Sequence, residues 1–71
     1  MATIKVTTVA GSNASMVGER YGAFDGVAWR NSIDCCDSDG GGRVFLDCQD
    51  EAVADYVRKQ MSDDDEVVSH D

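Results

Sequence analysis

The chain has 71 residues and carries 14 acidic against 6 basic side chains, which gives a formal net charge of −8. A chain of this length forms one small domain that buries only about 60% of the surface its unfolded form exposes, so it has no room for a deep cleft between domains. Its charge repels nucleic acid and anionic membranes, and its three cysteines fit neither a disulfide-stapled secreted domain nor a zinc finger. No signal peptide or transmembrane run is visible, and we expect a soluble, cytoplasmic protein.

The first half of the chain predicts a hairpin. Residues 3–9 are rich in β-branched side chains and predict the first strand, and residues 11–15 are a loop by composition. Residues 16–24 are ambiguous, because two glycines disfavour a helix while polar residues interrupt a strand-like alternation. The Asp25-Gly26 pair is typical of a type I′ hairpin turn. It therefore predicts a second strand over residues 16–24 and a third strand that begins at Val27.

The glycines of the second predicted strand lie opposite large side chains. In the hairpin register, Gly22 faces Trp29 and Gly18 faces Ile33. Cross-strand pairs of this kind cover the gap that a glycine leaves in a sheet. The predicted register therefore explains why glycine occurs at both positions of the strand.

A second hairpin is predicted around the glycine-rich segment 37–42, with Cys36 opposite Arg43. The two hairpins together place four apolar side chains on one face of the sheet: Trp29, Ile33, Val44 and Leu46. Two independent turns thus agree on the face that is buried. Phe45 falls on the opposite, polar face.

A helix follows the last predicted strand. We expect it to begin at Asp47 or Asp50, with acidic residues in its first turn and with Arg58 and Lys59 in its last turn, as the helix dipole favours. Four apolar residues recur at helical spacing and predict the stripe that covers the sheet: Val53, Tyr56, Val57 and Met61.

The predicted fold is therefore α+β, a four-stranded antiparallel β-meander with one C-terminal α-helix packed on its apolar face. Residues 1–62 form this domain. Residues 63–71 form an acidic tail with two interpretations, a disordered segment or a short extra strand at Val67-Val68. In the meander order the first strand is an exposed edge protected only by Lys5, which offers a route to a homodimer.

Several kinds of chemical site are weighed and set aside. Residues 37–40 have part of a calcium-loop pattern, but the first and last ligands are missing and strands flank the loop. The glycines are followed neither by a lysine nor by a helix, as a phosphate-binding loop requires. Cys35 and Cys48 are too far apart in the predicted register to share a metal or a disulfide, and the sole histidine, His70, pairs with no nucleophile. We expect no enzyme activity, no metal site and no cofactor.

The surface then supplies the candidate partner-binding residues. The acidic candidates are Asp34, Asp37, Asp39, Asp47, Asp50 and Glu51, with Asp55 and the cluster 63–66 as further acids. Carboxylates spaced along a rigid domain imitate a phosphate backbone and engage a basic groove. On the open sheet face, Tyr21, Arg30 and Phe45 are the candidates for contacts that fix orientation.

These features predict a non-catalytic binding protein. The most concrete form is an inhibitor that occupies a basic, nucleic-acid-binding surface of a partner protein and binds neither nucleic acid nor membrane itself. In size and charge the chain is similar to small phage-encoded inhibitors of host defence, such as anti-CRISPR proteins, although no motif accompanies this similarity. Two alternatives stay open: a salt-adapted accessory subunit or structural module of a halophile, and a dimer-forming interaction domain.

Overall fold

A computed structural model describes the backbone of residues 1–36 and 42–71 and the side chains of all of these except residues 33–36. The elements are β1 (Ala2–Thr8), α1 (Ala14–Gly22), β2 (Val27–Cys36), β3 (Gly42–Cys48), α2 (Glu51–Met61) and β4 (Val67–His70). The strands form one antiparallel sheet in the order β2-β3-β1-β4. This βαββαβ arrangement is the split βαβ, or ferredoxin-like, topology.

The α+β class and the four-stranded antiparallel sheet are confirmed, but the sheet is not a meander and the described residues form two helices. Residues 14–22, which fall largely in the predicted second strand, form α1. Its N-cap is Asn13, whose side-chain oxygen accepts hydrogen bonds from the backbone N–H groups of Ser15 at 3.0 Å and Met16 at 3.3 Å. Its buried residues are Ala14, Val17, Gly18 and Tyr21. Apolar burial at helical spacing thus outweighs the low helix propensity of glycine.

The glycines of α1 let the helix lie directly on the indole ring of Trp29 in β2. A β-carbon at Gly18 would lie 2.7 Å from Trp29 Cδ2, and one at Gly22 would lie 3.1 Å from Trp29 Cγ. Gly22 does contact its predicted neighbour, but across a helix–sheet interface. The Asp25-Gly26 turn, with Gly26 at φ +81°, therefore connects a helix to a strand rather than two strands.

The register between β2 and β3 differs from the predicted one by four residues. Trp29 lies opposite Leu46, where the predicted register placed Ile33, whose side chain lies outside the described part. After an irregularity in the ladder, Cys36 lies opposite Gly42, one residue from its predicted partner. Because side chains alternate with a period of two, a slip of four residues preserves the faces. Trp29 therefore still packs on the core side with Leu46.

The first strand is an interior strand, and the prediction that it forms an exposed edge is wrong. Ile4 lies opposite Leu46 of β3, and Val6 lies between Val44 of β3 and His70 of β4. The sheet edges belong to β2 and β4. On the side away from β3, residues 6–8 of β1 pair with β4, so this part of β1 is not available to a second copy of the chain.

The second helix largely follows its prediction. Asp50 is the N-cap, and its carboxylate accepts a hydrogen bond from the Val53 N–H at 2.9 Å. Its last turn contains the two predicted basic residues. Within the predicted stripe, Val57 and Met61 are buried and Val53 is half-buried, but Tyr56 is 57% exposed. The side chain of Tyr56 therefore belongs to the surface rather than to the core.

The core lies between the sheet and the two helices. Its buried apolar residues are Ala2, Ile4, Val6, Ala14, Val17, Tyr21, Val44, Leu46, Cys48, Ala54, Val57 and Met61. Within the acidic segment, residues 67–70 form β4, which pairs with β1 through Val67, Ser69 and His70. No described helix has the length and apolarity of a membrane span.

Candidate protein-interaction surfaces

The sheet has a face covered by the helices and an open face. Phe45 lies at the middle of the open face, between Lys5 of β1 and Arg30 of β2. The Arg30 guanidinium carbon lies 4.5 Å from the centroid of the Phe45 ring, within cation–π range. Arg43 is opposite Thr7 on the same face. The structure thus brings together two of the predicted contact residues, Arg30 and Phe45, among cations.

Asp47 belongs to this open sheet face and not to the predicted acidic set at the start of the helix. Its carboxylate accepts hydrogen bonds from Thr3 Oγ1 at 2.9 Å and from Arg30 Nε at 3.1 Å. The hydrogen bond from Thr3, followed by the one from Arg30, lowers the pKa of Asp47. Asp47 therefore lies among the basic residues of the open sheet face, away from the start of the second helix.

The other acidic candidates lie elsewhere. Asp50 caps α2, and the Glu51 carboxylate, 77% exposed, lies 3.7 Å from Arg58. Asp55, one turn further on, pairs with the same arginine at 3.0 Å. Asp37 and Asp39 lie outside the described residues, and of Asp34 the structure describes only its backbone in β2. The described members of the predicted acidic set, Asp47, Asp50 and Glu51, are therefore divided between two faces.

Tyr21 is not on the open sheet face, which corrects its predicted place. It lies in α1 with 3% of its surface exposed, and its hydroxyl donates a hydrogen bond to Asp64 Oδ2 at 2.5 Å. Arg20 Nη1 donates to the same oxygen at 2.6 Å, and the Glu66 N–H donates to Asp64 Oδ1 at 2.8 Å. These four residues, the Asp64 cluster, tie the segment between α2 and β4 to α1.

Ionisation within the Asp64 cluster reflects both burial and hydrogen bonding. Burial, and then the contact with Asp64, raises the pKa of Tyr21 to about 12. Burial opposes the ionisation of Asp64, but the hydrogen bonds from Tyr21, the Glu66 backbone and Arg20 outweigh it and lower the pKa of Asp64. At neutral pH a carboxylate therefore accepts from a neutral phenol and a guanidinium, an arrangement of strong, charge-assisted bonds.

Among the side chains described, most of the exposed acids gather on the two helices and the segments that flank them. They are Glu19, Asp25, Asp50, Glu51, Asp55, Asp63, Asp65 and the half-exposed Glu66; we call this set the acidic helical surface. Asp71, exposed after the end of β4, lies outside it. The same elements carry three basic residues, of which Arg20 and Arg58 are engaged in ion pairs. The open sheet face carries Lys5, Arg30 and Arg43 against Asp47 among the side chains described. Charge is therefore segregated between the two sides.

Sequence reasoning missed Glu19 and Asp25 as surface acids of one side, because it placed residues 16–24 in a sheet. The signal that could have found them is the spacing of Ala14, Val17 and Tyr21, which marks an apolar helix face. Glu19 then lies on the solvent side of that helix.

An open groove interrupts the acidic helical surface. Five residues line this cavity of about 470 Å³: Phe24, Asp25, Ala52, Val53 and Tyr56. The Phe24 and Tyr56 ring centroids are 5.7 Å apart with the planes tilted by 52°. Tyr21 meets Phe24 edge to face, also at 5.7 Å. We call this feature the Phe24–Tyr56 groove; the sequence did not indicate it, because Phe24 and Tyr56 were predicted to belong to a strand and to the core.

Metal-ligating side chains are not clustered in the part of the chain that the structure describes: no group of three or more His, Cys, Asp or Glu residues there is placed to hold an ion. Cys48 is buried, and burial raises the pKa of its thiol. No protein-family model, curated protein or solved structure matches the chain.

Proposed function

We propose that this is a non-catalytic binding protein whose acidic helical surface occupies a basic, nucleic-acid-binding surface of a partner protein. The observation that carries the proposal is the segregation of charge. Among the described side chains, exposed carboxylates concentrate on the helices and their flanks, while three of the six basic residues lie on the open sheet face. One face with a strong negative potential steers a basic partner toward a single orientation.

The segment between α2 and β4 supports this proposal because it is held in place. Asp64, whose side chain is 7% exposed, is bonded to α1 through Arg20 and Tyr21. Its neighbours Asp63 and Asp65 are exposed. Fixed carboxylates bind a basic groove with less loss of conformational entropy than carboxylates on a mobile tail. The hydrogen bonds of the buried Asp64 thus also hold the backbone of the exposed Asp63 and Asp65 in place.

A competition experiment tests the proposal. The immobilised chain captures its partner from a cell extract at low ionic strength, and the purified partner is then bound to a labelled nucleic-acid duplex. We expect the free chain to displace the duplex, and we expect its affinity for the partner to fall steeply as salt is added. A captured protein that keeps its duplex at saturating chain, or the absence of any nucleic-acid-binding protein among those captured, contradicts the proposal.

Matched variants locate the contact. Asp63→Asn combined with Asp65→Asn removes two exposed charges and leaves Asp64 in place, so the fold is retained and the displacement weakens. Phe45→Ala alters the open sheet face and should leave displacement unchanged. If Phe45→Ala abolishes displacement and the double variant does not, the acidic helical surface is the wrong assignment.

The halophile interpretation makes a different prediction, which a thermal melt across salt concentrations tests. Under our proposal the chain is folded at low salt, and screening of its own repulsion raises the melting temperature only modestly. A chain that unfolds at low salt and refolds in molar salt would instead carry its acids for salt adaptation. That result would replace the inhibitor proposal.

A further inference from the structure

We propose that the Phe24–Tyr56 groove is the anchor of the acidic helical surface and receives an arginine side chain of the basic partner. This inference rests on the proposed function, because it names the contact at the centre of the same surface. It adds the chemical group that is recognised and the residues that recognise it.

Two of the residues that line the groove are aromatic. Tyr56 is 57% exposed, so its ring is available to a partner, and Phe24 lies beside it with ring centroids 5.7 Å apart. Phe24 is supported by the edge of Tyr21, which is held by its hydrogen bond to Asp64. Aromatic side chains in preformed pockets supply a large share of binding energy at protein interfaces.

The charge around the groove selects a cation. Asp25 lines it directly. The exposed acids Glu51 and Asp55 precede Ala52 and Tyr56 on α2 and share the single charge of Arg58, so the pair keeps a net negative charge. A bound anion would be repelled by Asp25, and an uncharged apolar group would gain no electrostatic attraction from it. A cation over the two rings gains cation–π attraction together with a carboxylate partner.

Arginine fits this site better than lysine does. Its guanidinium is planar, stacks on aromatic faces, is weakly hydrated and donates two parallel hydrogen bonds to a carboxylate, whereas an ammonium is a compact, strongly hydrated charge.

A basic residue of the chain itself lies close to one side of the groove. Lys59 follows Tyr56 by three residues on α2, which places it on the same side of the helix. An incoming arginine is therefore favoured on the side of the groove toward Asp25.

The test uses a hexa-arginine peptide as the probe and a hexa-lysine peptide of the same charge as its control. Binding is measured at low salt by NMR titration of the full chain, which also reports which ring resonances shift. We expect hexa-arginine to shift the ring resonances of Tyr56 and Phe24 and to bind more tightly than hexa-lysine by about two- to fivefold, the factor that one exposed cation–π contact supplies.

The variants are matched at the exposed position. Tyr56→Ala should remove the preference for arginine, whereas Tyr56→Phe, which keeps the ring, should preserve it. Asp25→Asn should weaken hexa-arginine binding, and Phe45→Ala on the open sheet face should not. Circular dichroism of each variant confirms that it is folded.

The outcomes separate this inference from the function on which it rests. Salt-sensitive binding of both peptides with equal affinity, unaffected by Tyr56→Ala, overturns the arginine anchor and leaves the acidic helical surface as the binding site. Shifts confined to the open sheet face overturn the anchor as well. No binding of either peptide at low salt overturns both proposals.

Discussion

Replacing Gly18 with alanine should destabilise this protein, although the same change stabilises an ordinary helix. Gly18 lies in the middle of α1, and a β-carbon there would meet Trp29 Cδ2 at 2.7 Å and Cζ3 at 3.0 Å, with Cε3 closer still. The indole ring is packed against the core, so it cannot move aside without losing contacts. The added methyl group must therefore push the helix and the sheet apart.

The expected magnitude follows from two opposing terms. Alanine in place of a helical glycine gains about 1 kcal/mol, and overpacking a filled interface costs about 1–3 kcal/mol. Because the clash involves three ring atoms, we expect a cost near the upper limit and a net loss of about 2 kcal/mol. In a Trp29→Val background the clashing ring atoms are absent, and Gly18→Ala should stabilise by about 1 kcal/mol. The sign of the effect should thus reverse.

The assay is a double-mutant cycle. The free energy of unfolding is measured by urea titration for the parent, the two single variants and the double variant, with far-UV circular dichroism as the signal because Trp29→Val removes the only tryptophan. We expect a coupling energy of about 3 kcal/mol between Gly18 and Trp29. Additive effects, or stabilisation by Gly18→Ala in the parent, would refute the packing of α1 on this ring.

Three further predictions concern the Asp64 cluster and the cap of α2. The pKa of Tyr21 is raised from 10.0 to about 12, so its contribution to stability is complete below about pH 10 and is lost as pH rises toward 12. Tyr21→Phe should flatten this alkaline decline of about 2 kcal/mol in the free energy of unfolding, and an unchanged decline in urea titrations would disprove the assignment. The lowered pKa of Asp64 means that its contribution to the free energy of unfolding is present above about pH 4 and is lost as pH falls further. Asp64→Asn should lower the free energy of unfolding by about 1–3 kcal/mol at pH 7 and by less at pH 3, and an equal loss at both pH values would contradict this. Asp50→Ala should cost about 1 kcal/mol while Asp50→Asn costs much less, because asparagine also accepts the hydrogen bond from the Val53 N–H; equal losses would exclude capping as the cause.

The Asp64 cluster also changes how the partner-binding surface is drawn. With Tyr21 buried in α1, the open sheet face retains Arg30 and Phe45 but loses its third predicted contact residue. The exposed aromatic ring is instead Tyr56, on the acidic side. The aromatic contact and the negative charge that the proposed function requires thus lie on one side of the molecule.

The parts of the fold that could be predicted are those specified by neighbouring residues. The first strand follows from its β-branched run, and α2 follows from its cap at Asp50, its basic last turn and its apolar spacing. These signals act within a few residues and need no knowledge of the rest of the chain. The prediction that Trp29 and Leu46 face the core is correct although the predicted register was wrong, because the register differs by an even number of residues.

Residues 16–24 show where local reasoning reached its limit. When only residues close in sequence are considered, the two glycines and the Asp-Gly turn favour a hairpin. The same glycines are also compatible with a helix that packs on Trp29. The difference between the two is a contact between elements. Because this segment is a helix, it connects β1 to a parallel strand, β2. The strand β3 lies between β1 and β2 and is antiparallel to both.

The amino-acid sequence determined the charge of −8, the α+β class and the helix that begins after Asp50, because composition and short-range patterns carry that information. The tertiary structure alone decided that β1 is central, that Tyr21 is buried against Asp64 and that Phe24 and Tyr56 form a groove among carboxylates. Each of these depends on pairing between residues far apart in the chain, where burial of the whole core outweighs local preference.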